Sequence, residues 1–220
     1  MIQIELPLEN MVRKAEENTR ANPTIFFLHG FGSNMQDLFG LVQFFGKEWN
    51  CISLQASIPT QYNGWAWAEL DYNNISRLPK PEQMRNHYQQ VLDSINNSID
   101  LLNLDNKRIN LLGFSQGASL ALYCGLKNPN RFRSVISLCG FLPIEQLITE
   151  IDIEQAKNLN VFMGNGRLDS IIPIDLAHKS RDSIRSLDSD ISYNEYDANH
   201  TISEDCLRDF LDWLKEKNQK

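Results

Sequence analysis

Positive charge is in short supply in this sequence: 21 Lys and Arg stand against 28 Asp and Glu, a net charge of −7. That balance leaves out the basic footprint that nucleic acid or an anionic membrane surface requires, so neutral or small-molecule partners are expected and no nucleic acid. Nor does any apolar run reach the ~20 residues of a membrane-spanning helix, which argues against stable membrane insertion. The first residues, Met1-Ile-Gln-Ile-Glu-Leu6, are acidic and strand-like, without the basic and long apolar stretches of a secretory leader. A cytoplasmic protein is therefore expected, in which the sequons at Asn74, Asn96 and Asn199 carry no meaning. There is no Cys-x-x-Cys; Cys51, Cys124, Cys139 and Cys206 are scattered among mostly apolar neighbours, a pattern that favours buried free thiols over disulfides. His-Glu-x-x-His, a Cys/His cluster and a Gly-rich phosphate loop are also missing, so the expected chemistry calls for no metal and no cofactor. The oligomeric state is not legible, and a homodimer is left open.

What the sequence does contain is an alternation of strand and helix signals, the mark of an α/β fold with a mostly parallel central sheet covered by helices on both faces. Strand-like runs are Ile25–Leu28, Cys51–Leu54, Ile109–Leu112, Ser134–Gly140 and Leu159–Met163, with Ile191–Tyr196 alternating like an outer strand. A long helix follows Pro81, with Met84, Tyr88, Val91, Ile95, Ile99 and Leu102 at steps of three and four. Ala118–Leu126 is a second helix, and a third begins at Pro173. A last helix carries Leu207, Phe210, Leu211 and Leu214 on one face, with Ser203 as its N-cap. With no repeat, low-complexity segment or linker, 220 residues read as a single domain over 1–220.

The chemistry concentrates where the run Ile109–Leu112 passes into Gly113-Phe114-Ser115-Gln116-Gly117 and then a helix. Gly-x-Ser-x-Gly between a strand and a helix is a nucleophile elbow: a sharp turn that stands the serine above the sheet. A serine hydroxyl needs a general base, and the base an orienting carboxylate. In the α/β-hydrolase order both lie downstream, acid before histidine. Of the four histidines, His29 precedes the serine in a His-Gly turn, His87 lies in the long helix and His178 in the helix after Pro173. His200 remains, on a loop after the last strand, where it can reach the carboxyl ends of the strands. Asp169, in Gly164-Asn-Gly-Arg-Leu-Asp169, is the acid expected; its ordinary alternative is to start a turn or cap the next helix, and Asp197 is the rival. Two backbone donors must face the developing oxyanion: the N–H of Gln116, after the nucleophile, and that of Phe31 in His29-Gly30-Phe31-Gly32.

The irregular stretch Tyr62–Tyr72 lies between a strand and the long helix, where such folds place binding loops. Its Trp65, Trp67 and Tyr72 either wall a pocket for substrate or pack the loop onto the body.

The order His29-Gly-Phe-Gly32, Gly113-Phe-Ser115-Gln-Gly117, Asp169-Ser-Ile-Ile-Pro173 and His200, which spans nearly the whole chain, resembles the phospholipase/carboxylesterase family of α/β-hydrolases. The group includes acyl-protein thioesterases and small bacterial carboxylesterases. The resemblance implies cofactor-free hydrolysis of small-molecule esters or thioesters by Ser115, Asp169 and His200. A carboxylesterase is the leading expectation, a lysophospholipase or acyl-protein thioesterase the second, and a catalytically silent hydrolase fold used for binding the alternative from another class. Two positions depart from the family pattern: Asn165-Gly166, where His-Gly is frequent, and Ser33-Asn34, where an acidic residue is frequent.

Overall fold

The computed structural model describes residues 2–17, 19–61, 63–78, 80–142 and 144–219; Tyr62, at the head of the aromatic stretch, lies outside them. In chain order the elements are β1 (Asn10–Arg13), β2 (Thr24–Leu28), α1 (Met35–Phe39), β3 (Asn50–Leu54), β4 (Ile58–Pro59), β5 (Trp65–Ala66), α2 (Pro81–Leu102) and β6 (Ile109–Phe114). They continue with α3 (Gln116–Lys127), β7 (Ser134–Leu138), α4 (Ile144–Leu147), β8 (Asn160–Gly166), α5 (Ile174–Arg185), β9 (Asp190–Tyr196) and α6 (Glu204–Gln219). The main sheet runs β1-β3-β2-β6-β7-β8-β9, and β4 and β5 form a separate two-stranded ribbon. Every pairing in the main sheet is parallel except β1 with β3.

Strands covered on both faces read as continuous apolar runs, and their side chains still alternate. Phe26 and Leu28 of β2 join the core formed with α2, α3 and α5, while Ile25 and Phe27 join the one formed with α1 and α6. The six residues of β6 lie in the middle of the sheet, and α3 behind it is buried from Gln116 to Leu126. All four cysteines are free and buried. Ser203 Oγ accepts from the N–H of Cys206 at 3.2 Å, as an N-cap of α6 should.

The N-terminus differs from its reading. Ile2 makes only an isolated bridge with Val12, and the edge strand is Asn10–Arg13. The Asn10 side chain takes both backbone groups of Ile4, accepting at 3.2 Å and donating at 2.9 Å, so those groups never reach a strand partner. β8 also runs three residues past Met163, because its ladder with β9 continues through Gly166.

Candidate active site

β6 ends at Phe114 and α3 starts at Gln116, leaving Ser115 alone to turn the chain, at φ 53° and ψ −118°. A non-glycine residue held there stores about 1–3 kcal/mol and persists only where its surroundings impose it. Here they do: a Cβ on Gly113 would stand 2.2 Å from the Gly117 carbonyl oxygen, and one on Gly117 would stand 2.0 Å from that of Leu28. Only glycines allow strand, turn and neighbouring strand to close up so far.

The structure brings three of the expected residues together. His200 accepts on Nε2 from the Ser115 hydroxyl at 2.9 Å and donates from Nδ1 to Asp169 Oδ2 at 2.7 Å. The other carboxylate oxygen, Oδ1, accepts from the N–H groups of Ile171 and Ile172, both at 2.8 Å. Asp169 thus orders the turn ahead of α5 and meets the imidazole at once. Its side chain is 1% exposed and that of His200 19%, whose ring lies 4.9 Å from Phe114. Asp197 is turned away: it pairs with Arg167 at 2.7 Å and its side chain is 84% exposed. The other histidines are engaged elsewhere, His178 with Glu195 at 2.7 Å and His29 and His87 inside the body.

Cys139, Asp169 and His200 bring one ligand atom each within 4.8 Å of one another. Both oxygens of Asp169 and both nitrogens of His200 are already engaged, and burial, aided by the nearby Asp169 charge, pushes the Cys139 thiol up to about 12. The trio is a hydrogen-bonded pair beside a neutral thiol, a poor donor set for a cation.

Ser115 and His200 open onto a cleft of about 590 Å³ that Phe31 and Gln116 also line. Among the described residues, neither the Phe31 nor the Gln116 backbone N–H has a hydrogen-bond acceptor. The two segments are tied together. Gln116 accepts from Trp67 N–H on Oε1 at 2.8 Å and donates from Nε2 to the Ala68 carbonyl at 2.7 Å. The Trp67 indole N–H in turn donates to the His29 carbonyl at 2.7 Å.

Of the three aromatic residues offered as pocket walls, two take the packing alternative and one reaches the cleft. Trp67 is fully buried, its ring 5.2 Å from each of His29 and His87, and it does not line the cleft. Trp65 does not line it either: its backbone bonds Gly32 and Ser33, and its side chain packs on the core. The physical reason is hydrogen bonding: the ribbon β4–β5 and the bridge to Ser33 hold Trp65, and the bonds to Gln116 and His29 hold Trp67. Tyr72 does reach the cleft, 80% exposed and edge-on to Phe31 at 6.3 Å. The apolar walls are instead Leu70, Ile75, Leu78, Met84, Phe141 and Ile172. Of these, Leu70 lies in the Tyr62–Tyr72 stretch and Ile172 in the acid loop, each with a signal in the sequence; the rest come from segments that no local pattern joins.

At both departures the side chains bond to neighbouring residues, although Asn165 Oδ1 is buried with no partner among the described residues. Asn165 is buried and donates to the Gly140 carbonyl at 3.1 Å. Ser33 bonds Asp37 at 2.8 Å, and Asn34 caps α1 by accepting from Gln36 N–H at 2.8 Å.

Residues 10–218 match the sequence model of the Phospholipase/Carboxylesterase family. Acyl-protein thioesterase 1 of Mycosarcoma maydis is 20% identical over 94% of this chain and 96% of its own. The crystal structure of esterase PE8 superposes with a TM-score of 0.83 at 24% identity, covering 95% of this chain and 98% of that one. The Bacillus cereus carboxylesterase gives 0.82 at 15% identity over 96% and 94%.

Proposed function

Since the chain belongs to the phospholipase/carboxylesterase family and is a hydrolase, we propose that it cleaves carboxylic esters through Ser115, His200 and Asp169. The observation that carries this reading is the unbroken hydrogen-bond line from Ser115 Oγ through the imidazole to Asp169 Oδ2, 2.9 and 2.7 Å long. Ser115 Oγ attacks the acyl carbonyl while His200 Nε2 takes its proton. Asp169 holds the imidazole with Nδ1 protonated and Nε2 free to accept, and stabilises the imidazolium once formed. Negative charge gathers on the carbonyl oxygen, where the N–H groups of Phe31 and Gln116 receive it; donors with no partner in the resting protein suit that role. The imidazolium then protonates the leaving alcohol, and water repeats the sequence on the acyl-enzyme.

The same steps cleave a thioester, and the acyl-protein thioesterase relatives favour that second reading over a lysophospholipase. One experiment tests the proposal: labelling by a fluorophosphonate probe, combined with a screen of aryl esters graded by acyl length, an acyl thioester and a lysophospholipid. Labelling at Ser115 with ester turnover, both lost in Ser115→Ala, is expected. A protein that neither labels nor turns over any of these substrates overturns it.

A further inference from the structure

The cleft above Ser115 has a charge pattern at odds with the rest of the molecule. The chain carries seven more acidic than basic residues, yet among the described residues no Asp or Glu lines the cleft. Among the described residues the one permanently charged side chain that lines it is Arg77. Arg85 and Arg167, also at the surface, are held by Glu150 and by Glu195 with Asp197. Among the described residues Arg77 has no such partner: only its backbone N–H is bonded, to the Asn74 carbonyl at 3.0 Å.

Its root, by contrast, is fixed. The next residue, Leu78, is 7% exposed, and Gln146 holds both of its backbone groups, accepting from the N–H at 2.6 Å and donating to the carbonyl at 3.0 Å. An exposed head on an anchored stem presents five donors to the cleft at little further cost in backbone order. Two more polar side chains on the wall, Asn73 and Ser170, likewise have no partner among the described residues. The remaining surface is mostly apolar, from Leu70, Ile75, Met84, Phe141 and Ile171.

An apolar trough with a single unpaired guanidinium suits a substrate of the same design. We propose that Arg77 is a specificity residue that selects esters whose apolar body bears an anionic group, a carboxylate or phosphate. The anion pairs with Arg77 while the ester carbonyl lies at Ser115. A molecule of net charge −7 repels anions at long range, so a local cation in the cleft is what admits one. The inference rests on the ester-hydrolase reading of this same site.

The test compares wild type with Arg77→Gln and Arg77→Lys on matched pairs, so that intrinsic reactivities cancel. One arm puts the anion on the acyl side: the mono-4-nitrophenyl ester of adipic acid against 4-nitrophenyl hexanoate. The other puts it on the leaving group: a lysophosphatidate against the neutral monoacylglycerol of the same chain. Because the Arg77 side chain is exposed and makes no bond, both variants keep the fold, which an unchanged melting temperature verifies. The anionic-to-neutral ratio of kcat/KM should fall about ten-fold in Arg77→Gln on at least one arm, mainly through KM, and Arg77→Lys should restore part of it. Raising salt from 0.05 to 0.5 M should erode the wild-type ratio. The arm that responds identifies the side of the ester on which the anion sits. Ester turnover with ratios identical in wild type and Arg77→Gln on both arms overturns this inference and leaves the hydrolase reading standing. Absence of turnover on every substrate, with no fluorophosphonate labelling, overturns both.

Discussion

Asp169 carries three hydrogen bonds on two oxygens, one to the imidazole and two to the following turn, whereas Asp197, three residues from His200, spends its charge on an exposed arginine. Asp169→Asn places an amide against His200 Nδ1 and disturbs the tautomer; kcat on an aryl ester should fall on the order of 10⁴-fold. Asp197→Asn loses only a solvent-exposed ion pair and should stay within about two-fold of wild type. Steady-state kinetics on both variants decide the acid. Trp67 and Tyr72 separate in the same way. Trp67→Ala opens a cavity in the body, a loss of about 3–5 kcal/mol that should appear as a lowered melting temperature and uniformly reduced kcat/KM across acyl lengths. Tyr72→Ala, at the cleft, should instead reorder the acyl lengths with the melting temperature held.

At the scale of elements, the junction between α3 and the His29–Ser33 turn determines where two partnerless N–H groups stand. The Gln116 side chain holds the segment of Trp67 and Ala68, and Trp67 holds the carbonyl of His29, so one chain of bonds links both groups. Gln116→Ala cuts that chain while keeping both N–H groups, and a displacement of about 1 Å is worth up to about 10² in rate. The expected outcome is a kcat lowered by about 10–100-fold with KM little changed, measured on a short-chain aryl ester. Gly117→Ala is of another kind. Its methyl would meet the Leu28 backbone, which cannot swing aside as a side chain can, so the helix must leave β2 and the protein should be recovered poorly or melt early.

For the molecule as a whole, acid stability follows from two buried histidines. His29 is wholly buried, donating from Nδ1 to the Gly30 carbonyl and accepting on Nε2 from Ala56 N–H. His87 donates to the Gln83 carbonyl and accepts on Nε2 from Ser57. Burial lowers both below the usual imidazole value of 6.5, against the opposing pull of their bonded carbonyls. Protonation would also turn each acceptor nitrogen into a donor facing a donor. The unfolded chain therefore takes up protons at a higher pH than the folded one, and stability should decline as pH falls below about 6.5 until the lowered values are passed. Thermal melts from pH 7.5 to 5 should show this fall. His87→Gln, which keeps an acceptor without the titration, should flatten it.

Legible in the residues alone were the fold class, the sharp strand-to-helix turn at Ser115 and the histidine that meets it. Each is a local pattern: apolar runs of strand length alternating with steps of three and four, glycines spaced around one serine, and four histidines of which one follows the last strand. The edge strand at Asn10–Arg13 escaped because a side-chain bond from Asn10 displaced the strand pairing that alternation suggested at the N-terminus. Which carboxylate meets His200, that Trp67 packs inside the body, and which side chains wall the cleft emerge only once the chain is folded. Those outcomes depend on contacts between segments far apart in sequence: 38 residues from Trp67 to His29, 49 to Gln116, and 68 from Leu78 to Gln146. Hydrophobic pattern records that a tryptophan will be sheltered from water, but whether protein or substrate shelters it is settled by what the sheet brings alongside.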